Sequence, residues 1–437
     1  MKKSLLALAA LASVASVAHA EQDGVQLYGI LDVGIATQNN SKSGSDQFPV
    51  TIDNNSAANS LPSKTFTGMV NGPMSDSRWG IKGSENLGNG LSAHFVLESG
   101  INLPTGQLNN AANSQAIGTN SSKYNAIANA DSSLSGQLFN RTAHVGVTSV
   151  DYGTLDLGRN YTPGFDVIGA YDPQTGSQLF SPLGFSGSQG GALGYTEMLR
   201  NDNSVKYTNK FNTGMLNGIN VGAIYKFGNT SGNIAAGSGY GVNVGYEPSS
   251  RFGVQGVWQA YHDVAATSGA TYSASNPAGV AATLYDTVGY MITTHYKFVP
   301  KLDVKAGYEW YSRQNANDTA ASIGSVSEFG YVFVSGTNLT SYSGPSKVWR
   351  IPFIGADYAV KDNLHARVAY YDLQQDAVGA TGAIRQNLYS AVLDYNFTKR
   401  TDVYTGVMYQ SLSGDNLAYG TGNTSATTLA VGMRHKF

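Results

Sequence analysis

The sequence predicts an all-β fold, a sixteen-stranded antiparallel transmembrane β-barrel with long outer loops and short periplasmic turns. Three observations predict it. The 437-residue chain is poor in charge (13%) and rich in glycine (52 residues) and tyrosine (27 residues). Its periodic segments repeat every two residues and not with the helical period of ~3.6. The connections between those segments alternate short and long. A soluble sandwich also has strands with one wet face, so period two alone leaves it open. The alternation of connections has no cause in a sandwich and is the natural result of a barrel with two unlike rims.

Composition excludes several classes. Plentiful aromatics and a formal net charge of −2 argue against a disordered chain. With no cysteine there is no disulfide, thiolate metal site or cysteine nucleophile. Lys and Arg number 27 against 29 Asp and Glu, without the basic excess of a nucleic-acid binder.

The first twenty residues read as a cleaved secretory signal, leaving residues 21–437 as the barrel domain. Lys2 and Lys3 precede an apolar stretch from Leu5 to Val17, and Ala18-His19-Ala20 supplies the small-x-small cleavage pattern. A retained anchor is the alternative, but the apolar stretch is shorter than the ~20 residues a span needs. Cleavage removes two lysines, so the mature balance is 25 basic minus 29 acidic, or −4. No later segment approaches a helical span. A mature chain in a membrane must then satisfy its backbone as a closed barrel.

Strands are expected near 25–36, 76–85, 91–100, 139–148, 152–160, 203–209, 217–227, 239–247, 252–263, 285–298, 302–313, 347–360, 364–375, 386–397, 401–413 and 427–437. In 302–310, Leu302, Val304, Ala306, Tyr308 and Trp310 alternate with Asp303, Lys305, Gly307 and Glu309. Tight turns such as Asn86–Gly90, Ser149–Asp151 and Thr398–Arg400 alternate with long polar loops near 37–75, 101–138 and 161–202, and onwards to 414–426. Pro352 makes 347–360 the least regular strand, because proline lacks a ladder donor. Aromatics stand at strand ends: Tyr296 and Phe298, Tyr395 and Phe397, and His435 with Phe437 at one rim. Tyr225, Phe227, Tyr261, Trp310 and Tyr371 mark the other. In a bilayer these ends form the interfacial belts.

Enzyme constellations are poor. There is no Gly-x-Ser-x-Gly and no His-Glu-x-x-His. The mature histidines His94, His144, His262, His295, His365 and His435 are scattered singly, and are read as polar wall or interface residues and not as metal ligands. Asp372 and Asp376 at a strand–loop junction read as solvated loop acids in preference to a calcium or hydrolytic pair. No cofactor is implied.

The strand charges are few. Arg78 and Lys82 lie on the face opposite Trp79 and Ile81; Arg159 ends the strand before the third long loop, and Arg200 precedes the strand after it. That loop carries Asp166 and Asp172 among Phe165, Val167, Ile168, Tyr171 and Phe180. Being less polar than its siblings, it is expected to pack against something, and inside a wide barrel it would narrow the lumen. A basic wall facing an acidic loop would set a field across the opening.

Several stretches, in order along the mature chain, carry a resemblance. They are Val25-Gln26-Leu27-Tyr28-Gly29, Ser77-Arg78-Trp79-Gly80-Ile81-Lys82-Gly83, Arg141-Thr142-Ala143-His144-Val145-Gly146-Val147, Gly153-Thr154-Leu155-Asp156-Leu157-Gly158-Arg159, Asn203-Ser204-Val205-Lys206-Tyr207 and the terminal Gly432-Met433-Arg434-His435-Lys436-Phe437. The chain resembles the general-diffusion porins of Gram-negative bacteria, in the betaproteobacterial and neisserial branch. The resemblance implies a homotrimer in outer-membrane lipid and lipopolysaccharide, with a third loop folded into the lumen. It also implies passage of ions and small hydrophilic solutes, and wall basics Arg78, Lys82, Arg141 and Arg200 facing loop acids. It makes the Phe437 tail a signal to the outer-membrane assembly machinery.

Two departures qualify it. Ile30 stands where relatives often carry a basic residue, and the acidic loop tip has no clean counterpart, so Asp166 and Asp172 are placed by location. Simple alternation would also put Arg141 with Ala143 and Val145, away from the lumen. Gly29, Gly34 and Ala36 on the first strand are small enough for close packing between barrels. Five candidate basics against two acids predict weak selectivity with a slight anion lean, because mouth charges are screened over ~8 Å. The alternative functions are an adhesin or receptor acting through the loops, and an outer-membrane barrel enzyme.

Overall fold

The computed structural model describes residues 24–42, 63–108, 138–184, 199–228, 234, 238–265, 282–315, 327–328, 331–332, 345–377, 382–414 and 423–437. The proposed signal at 1–20 and most of the second long loop lie outside the described residues.

The chain runs β1 (Gly24–Lys42), β2 (Ser63–Asn71), β3 (Arg78–Gly88), β4 (Leu91–Asn102), β5 (Thr142–Ser149), β6 (Gly153–Tyr161), α1 (Pro163–Tyr171), β7 (Arg200–Lys210), β8 (Ile219–Lys226) and β9 (Gly239–Ser249). It continues as β10 (Phe252–Ala265), β11 (Ala282–Val299), β12 (Leu302–Gln314), β13 (Lys347–Lys361), β14 (Leu364–Gln375), β15 (Ile384–Asn396), β16 (Thr401–Gly414) and β17 (Ser425–Lys436). Apart from β2 and β3, which do not pair with each other, each of these strands pairs antiparallel with its neighbours in sequence, and β17 pairs with β1, from Ile30↔Lys436 to Gln38↔Thr428. The β17–β1 pairing closes the sheet on itself, as a bilayer requires. Both β2 and β3 pair with β1, through Val33↔Asn71 and Ile30↔Arg78. They are one wall strand broken at residues 72–77, so the barrel has sixteen.

The wall strand expected at 76–85 therefore begins at Ser63, and residues 37–42 and 63–71 of the loop expected at 37–75 are strand. The break is held from inside. The Asp32 carboxylate accepts from the backbone N–H groups of Met74 and Ser75 at 3.0 and 2.7 Å, and Gly72, at φ 59°, donates its N–H to the Asp32 carbonyl. Asp32 presents a row of acceptors that a turning backbone fills, which a straight strand would not need.

Alternation places wet and greasy faces as the sequence suggests. In β15, Leu388, Ser390, Val392 and Asp394 point inward and are buried, while Tyr389 and Leu393 are exposed on the outer face. Pro352 stays in β13, opposite Tyr308 of β12. Its missing donor falls where the β13–β14 ladder skips from Arg350↔Gln374 to Phe353↔Tyr371.

The outer aromatics recur as edge-on pairs two residues apart. Tyr225–Phe227, Tyr296–Phe298 and Tyr395–Phe397 have ring centroids 4.8, 5.0 and 5.0 Å apart. Tyr261 and Tyr371 are corrections, since both are buried inward and neither belongs to a belt. So are Gly34 and Ala36. They share the inward face of β1 with Asp32 and Gln38, and a Cβ at Gly34 would meet Pro73 at 3.0 Å. Asp372 and Asp376 are not free loop acids either. Arg385 donates twice to Asp372, at 2.7 Å each, and Arg350 clasps Asp376.

Candidate functional site

The third long loop begins where β6 ends. Thr162 caps α1, its hydroxyl accepting from the Phe165 N–H at 3.3 Å, and Pro163 sits in the first turn where its missing donor costs nothing. The buried face of α1 carries Val167, Ile168 and Tyr171. It lies against the inward faces of β8 to β12. Gly164 donates its N–H to the Gln259 side chain of β10 at 2.8 Å, and a Cβ there would crowd that amide. Lys305 of β12 donates to the Ala170 and Asp172 carbonyls at 2.8 and 3.2 Å, setting a cation at the helix C-terminus.

Beyond α1 the loop continues along the inner wall. Pro173 lies on Gly355 of β13, Gln174 donates to Ser390 of β15 at 3.0 Å, and the Phe180 ring covers Gly406 of β16. The loop then reaches the break in the second wall strand, where Leu179 N–H and the Ser177 hydroxyl donate to the Pro73 carbonyl at 2.9 and 2.8 Å. Loop 3 thus folds into the barrel and crosses from β6 round to the β2–β3 break.

Acids and bases of this region sort differently from the sequence expectation. Asp172 is a correction. It is fully buried, accepting from the Tyr371 hydroxyl of β14 at 2.6 Å and from the Gly176 N–H at 2.7 Å, so it pins the loop to the wall and does not face an opening. Burial pushes its carboxyl up, with Tyr371 pulling the other way. Asp166 forms an ion pair with Lys206 of β7 at 2.5 Å. Burial pushes the Asp166 carboxyl up as well, and Lys206 opposes the shift.

The basic residues gather at the other end of the loop, around two carboxylates that the sequence reading did not single out. Glu98 of β4 accepts from Arg141 Nε at 2.8 Å, from the Tyr28 hydroxyl at 3.1 Å and from the Tyr161 hydroxyl at 3.0 Å, with Arg78 Nε at 3.5 Å. Asp76, carried inward by the strand break, accepts from Arg141 at 2.9 Å. Arg141 precedes β5, so it escapes the alternation that would have sent it outward with Ala143. The Arg200 guanidinium lies 5.1 Å over Tyr161 and 5.7 Å over Phe165, whose rings stack at 4.2 Å. It is 1% exposed, buried beneath the loop's root and not bare to the lumen. Arg159 donates to the Asn140 carbonyl at 2.8 and 2.9 Å and pairs with Asp202. Lys82 sits 5.9 Å over the Tyr28 ring.

The structure therefore brings Arg78, Arg141 and Arg200 together, sets Lys82 and Arg159 at the margins, and separates Asp172 from them. The signals for the missed acids were present. Gly72-Pro73 is a turn pair just before Asp76, and Glu98 continues the inward row of His94 and Val96.

Comparison with known proteins decides the family. The Gram-negative porin description matches residues 7–415. The chain belongs to the Gram-negative porin family. Membership places this porin in the outer membrane of a Gram-negative cell. It is 32% identical over 229 residues to an outer membrane porin protein of Bordetella pertussis, covering 52% of this chain and 48% of that one. It is 30% identical over 232 residues to outer membrane porin protein 32 of Delftia acidovorans, covering 52% and 50%. These alignments span about half the length of the curated relatives. The barrel is similar in fold to the anion-selective porin from Comamonas acidovorans, with a TM-score of 0.63, 19% identity and 95% and 100% of the two chains covered. It is also similar to OmpT of Vibrio cholerae in its trimer form, with a TM-score of 0.57, 14% identity and the same coverage.

Proposed function

We propose that this porin is a passive diffusion channel for ions and small hydrophilic solutes, with no catalytic activity. The observation that carries the reading is loop 3 lying inside a closed barrel, its root stacked beside the Arg78–Arg141–Arg200 cluster. A folded loop narrows the lumen without sealing a chemical pocket, and fixed charges at the narrow point act on ions at short range. Five cations (Arg78, Lys82, Arg141, Arg159 and Arg200) stand there with three carboxylates (Asp76, Glu98 and Asp202), a local balance of +2. Asp166 is neutralised by Lys206 and Asp172 is turned to the wall. The field across the opening thus comes from the wall cluster and not from an acidic loop. We infer a weak anion preference, in line with the anion-selective porin of similar fold.

A homotrimer is the assembly we favour. The exposed outer residues of β9 to β16 include Tyr240, Trp258, Tyr290, Tyr389 and Tyr409, as suits lipid headgroups, whereas β5 and β6 expose Val145, Val147, Leu155 and Leu157. This aliphatic outer stretch fits a subunit interface. Native gels of unheated protein should show one species near three times the chain mass. Liposomes carrying the protein should swell in small sugars and progressively less in larger ones. Swelling no faster than that of empty liposomes would favour an adhesin or receptor.

A further inference from the structure

We propose that His94, His144 and Asp156 form a binding site on the lumen wall for a divalent transition metal ion of the zinc class. The three residues stand on β4, β5 and β6, 62 residues apart at the extremes, which is why the sequence shows them as isolated. Register brings them together. His94 and Asp156 both lie opposite Gly146, one from each side. Their backbones are two strand spacings apart, about 10 Å. The side chains meet over the glycine, His94 Nε2 lying 2.7 Å from Asp156 Oδ1. A Cβ at Gly146 would fall 2.3 Å from that oxygen and 2.7 Å from the His94 ring, so the space the cluster fills exists only because this residue is glycine.

His144 sits two residues along the same face and brings Nε2 to 3.9 Å from Asp156 Oδ1. One potential ligand atom from each residue lies within 4.8 Å of the others, and among the described residues this is the one such group. Ligands about 2.0 Å from a tetrahedral zinc stand roughly 3.3 Å apart, within reach of small side-chain rotations here. Two imidazoles and a carboxylate suit zinc, nickel or copper better than magnesium or calcium. Three protein ligands leave a coordination position for water or a passing anion.

The surroundings orient the ligands. Thr142 donates its only hydroxyl proton to the Arg159 carbonyl at 2.8 Å, so at 3.0 Å it accepts from His144 Nδ1–H. That bond fixes the tautomer and leaves the Nε2 lone pair facing Asp156, the arrangement a metal-ligating histidine needs. The remaining described imidazole–carboxylate pairs, such as His365 with Asp357, lack a second histidine.

The test is calorimetric titration of detergent-folded porin with zinc chloride, each variant first shown to keep the heat-modifiable mobility of a folded barrel. Wild type should take up one zinc per chain. His144→Ala and the near-isosteric Asp156→Asn should each lower affinity at least tenfold, while His365→Ala should leave it unchanged. Wild-type binding no tighter than that of a His94→Ala/His144→Ala double variant would overturn the proposal, as would equal loss in His365→Ala.

Discussion

Gly29 and Phe437 exchange both backbone hydrogen bonds at 3.1 Å, and the terminal ring lies where a Cβ on Gly29 would come within 2.4 Å. Phe437 therefore extends the ladder that closes the barrel onto its first strand. Its ring sits on the outer face of β1, over the one position small enough to seat it.

Deleting Phe437 should lower the folded outer-membrane yield several-fold while leaving export to the periplasm intact. Gly29→Leu separates two causes, because it displaces the ring but leaves the tail sequence unchanged. Loss in both variants would assign the effect to ladder closure, and loss in the deletion alone to recognition of the tail. Quantifying heat-modifiable protein in membrane fractions reads the result, and an unchanged yield in both would leave Phe437 an ordinary interfacial aromatic.

Tyr371→Phe removes the hydroxyl that Asp172 accepts from, leaving a buried carboxylate oxygen short of a donor at a cost of about 1–3 kcal/mol. Since this contact pins loop 3 midway along its path, single-channel current noise should rise, with the barrel still folded. Noise identical to wild type would show that the loop is held by its other contacts alone.

Arg141→Ala changes the local balance from +2 to +1 and leaves Glu98 to Arg78 and two tyrosine hydroxyls. Reversal potentials across a salt gradient should shift towards cations. Unchanged selectivity and conductance would mean that this cluster lies outside the ion path.

Acid should strengthen anion preference. Burial raises the Asp166 carboxyl, so as pH falls it takes up a proton before an ordinary aspartate does. Lys206 then loses its counter-charge, and the lumen gains one positive charge per chain. The same sign applies to stability. A raised acid pKa means the folded state binds the proton more readily, so this group's contribution is greatest in acid and falls as pH rises through its folded value. In Asp166→Asn the acid rise in anion preference should be reduced, measured as reversal potential against pH.

Most of the wall was legible because period two and turn chemistry are local. Leu364–Gln375 and Leu302–Gln314 lie almost where alternation puts them. The second wall strand was not, because its break at 72–77 is stabilised by Asp32, more than forty residues earlier, through contacts spanning 42 and 43 positions, and no local pattern records them. Asp172 was misread for a related reason. A carboxylate in an amphipathic loop looks solvated until the wall supplies Tyr371 from 199 positions away. The His94–His144–Asp156 cluster depends wholly on strand register, which fixes who faces whom only after three strands are paired.

The most direct measurement is conductance of the purified protein in a planar lipid bilayer. The proposed diffusion channel predicts stepwise insertions, each with a current proportional to voltage and a modest reversal potential of anion sign. Protein that inserts as a folded barrel yet shows no ohmic current at any voltage would contradict the account.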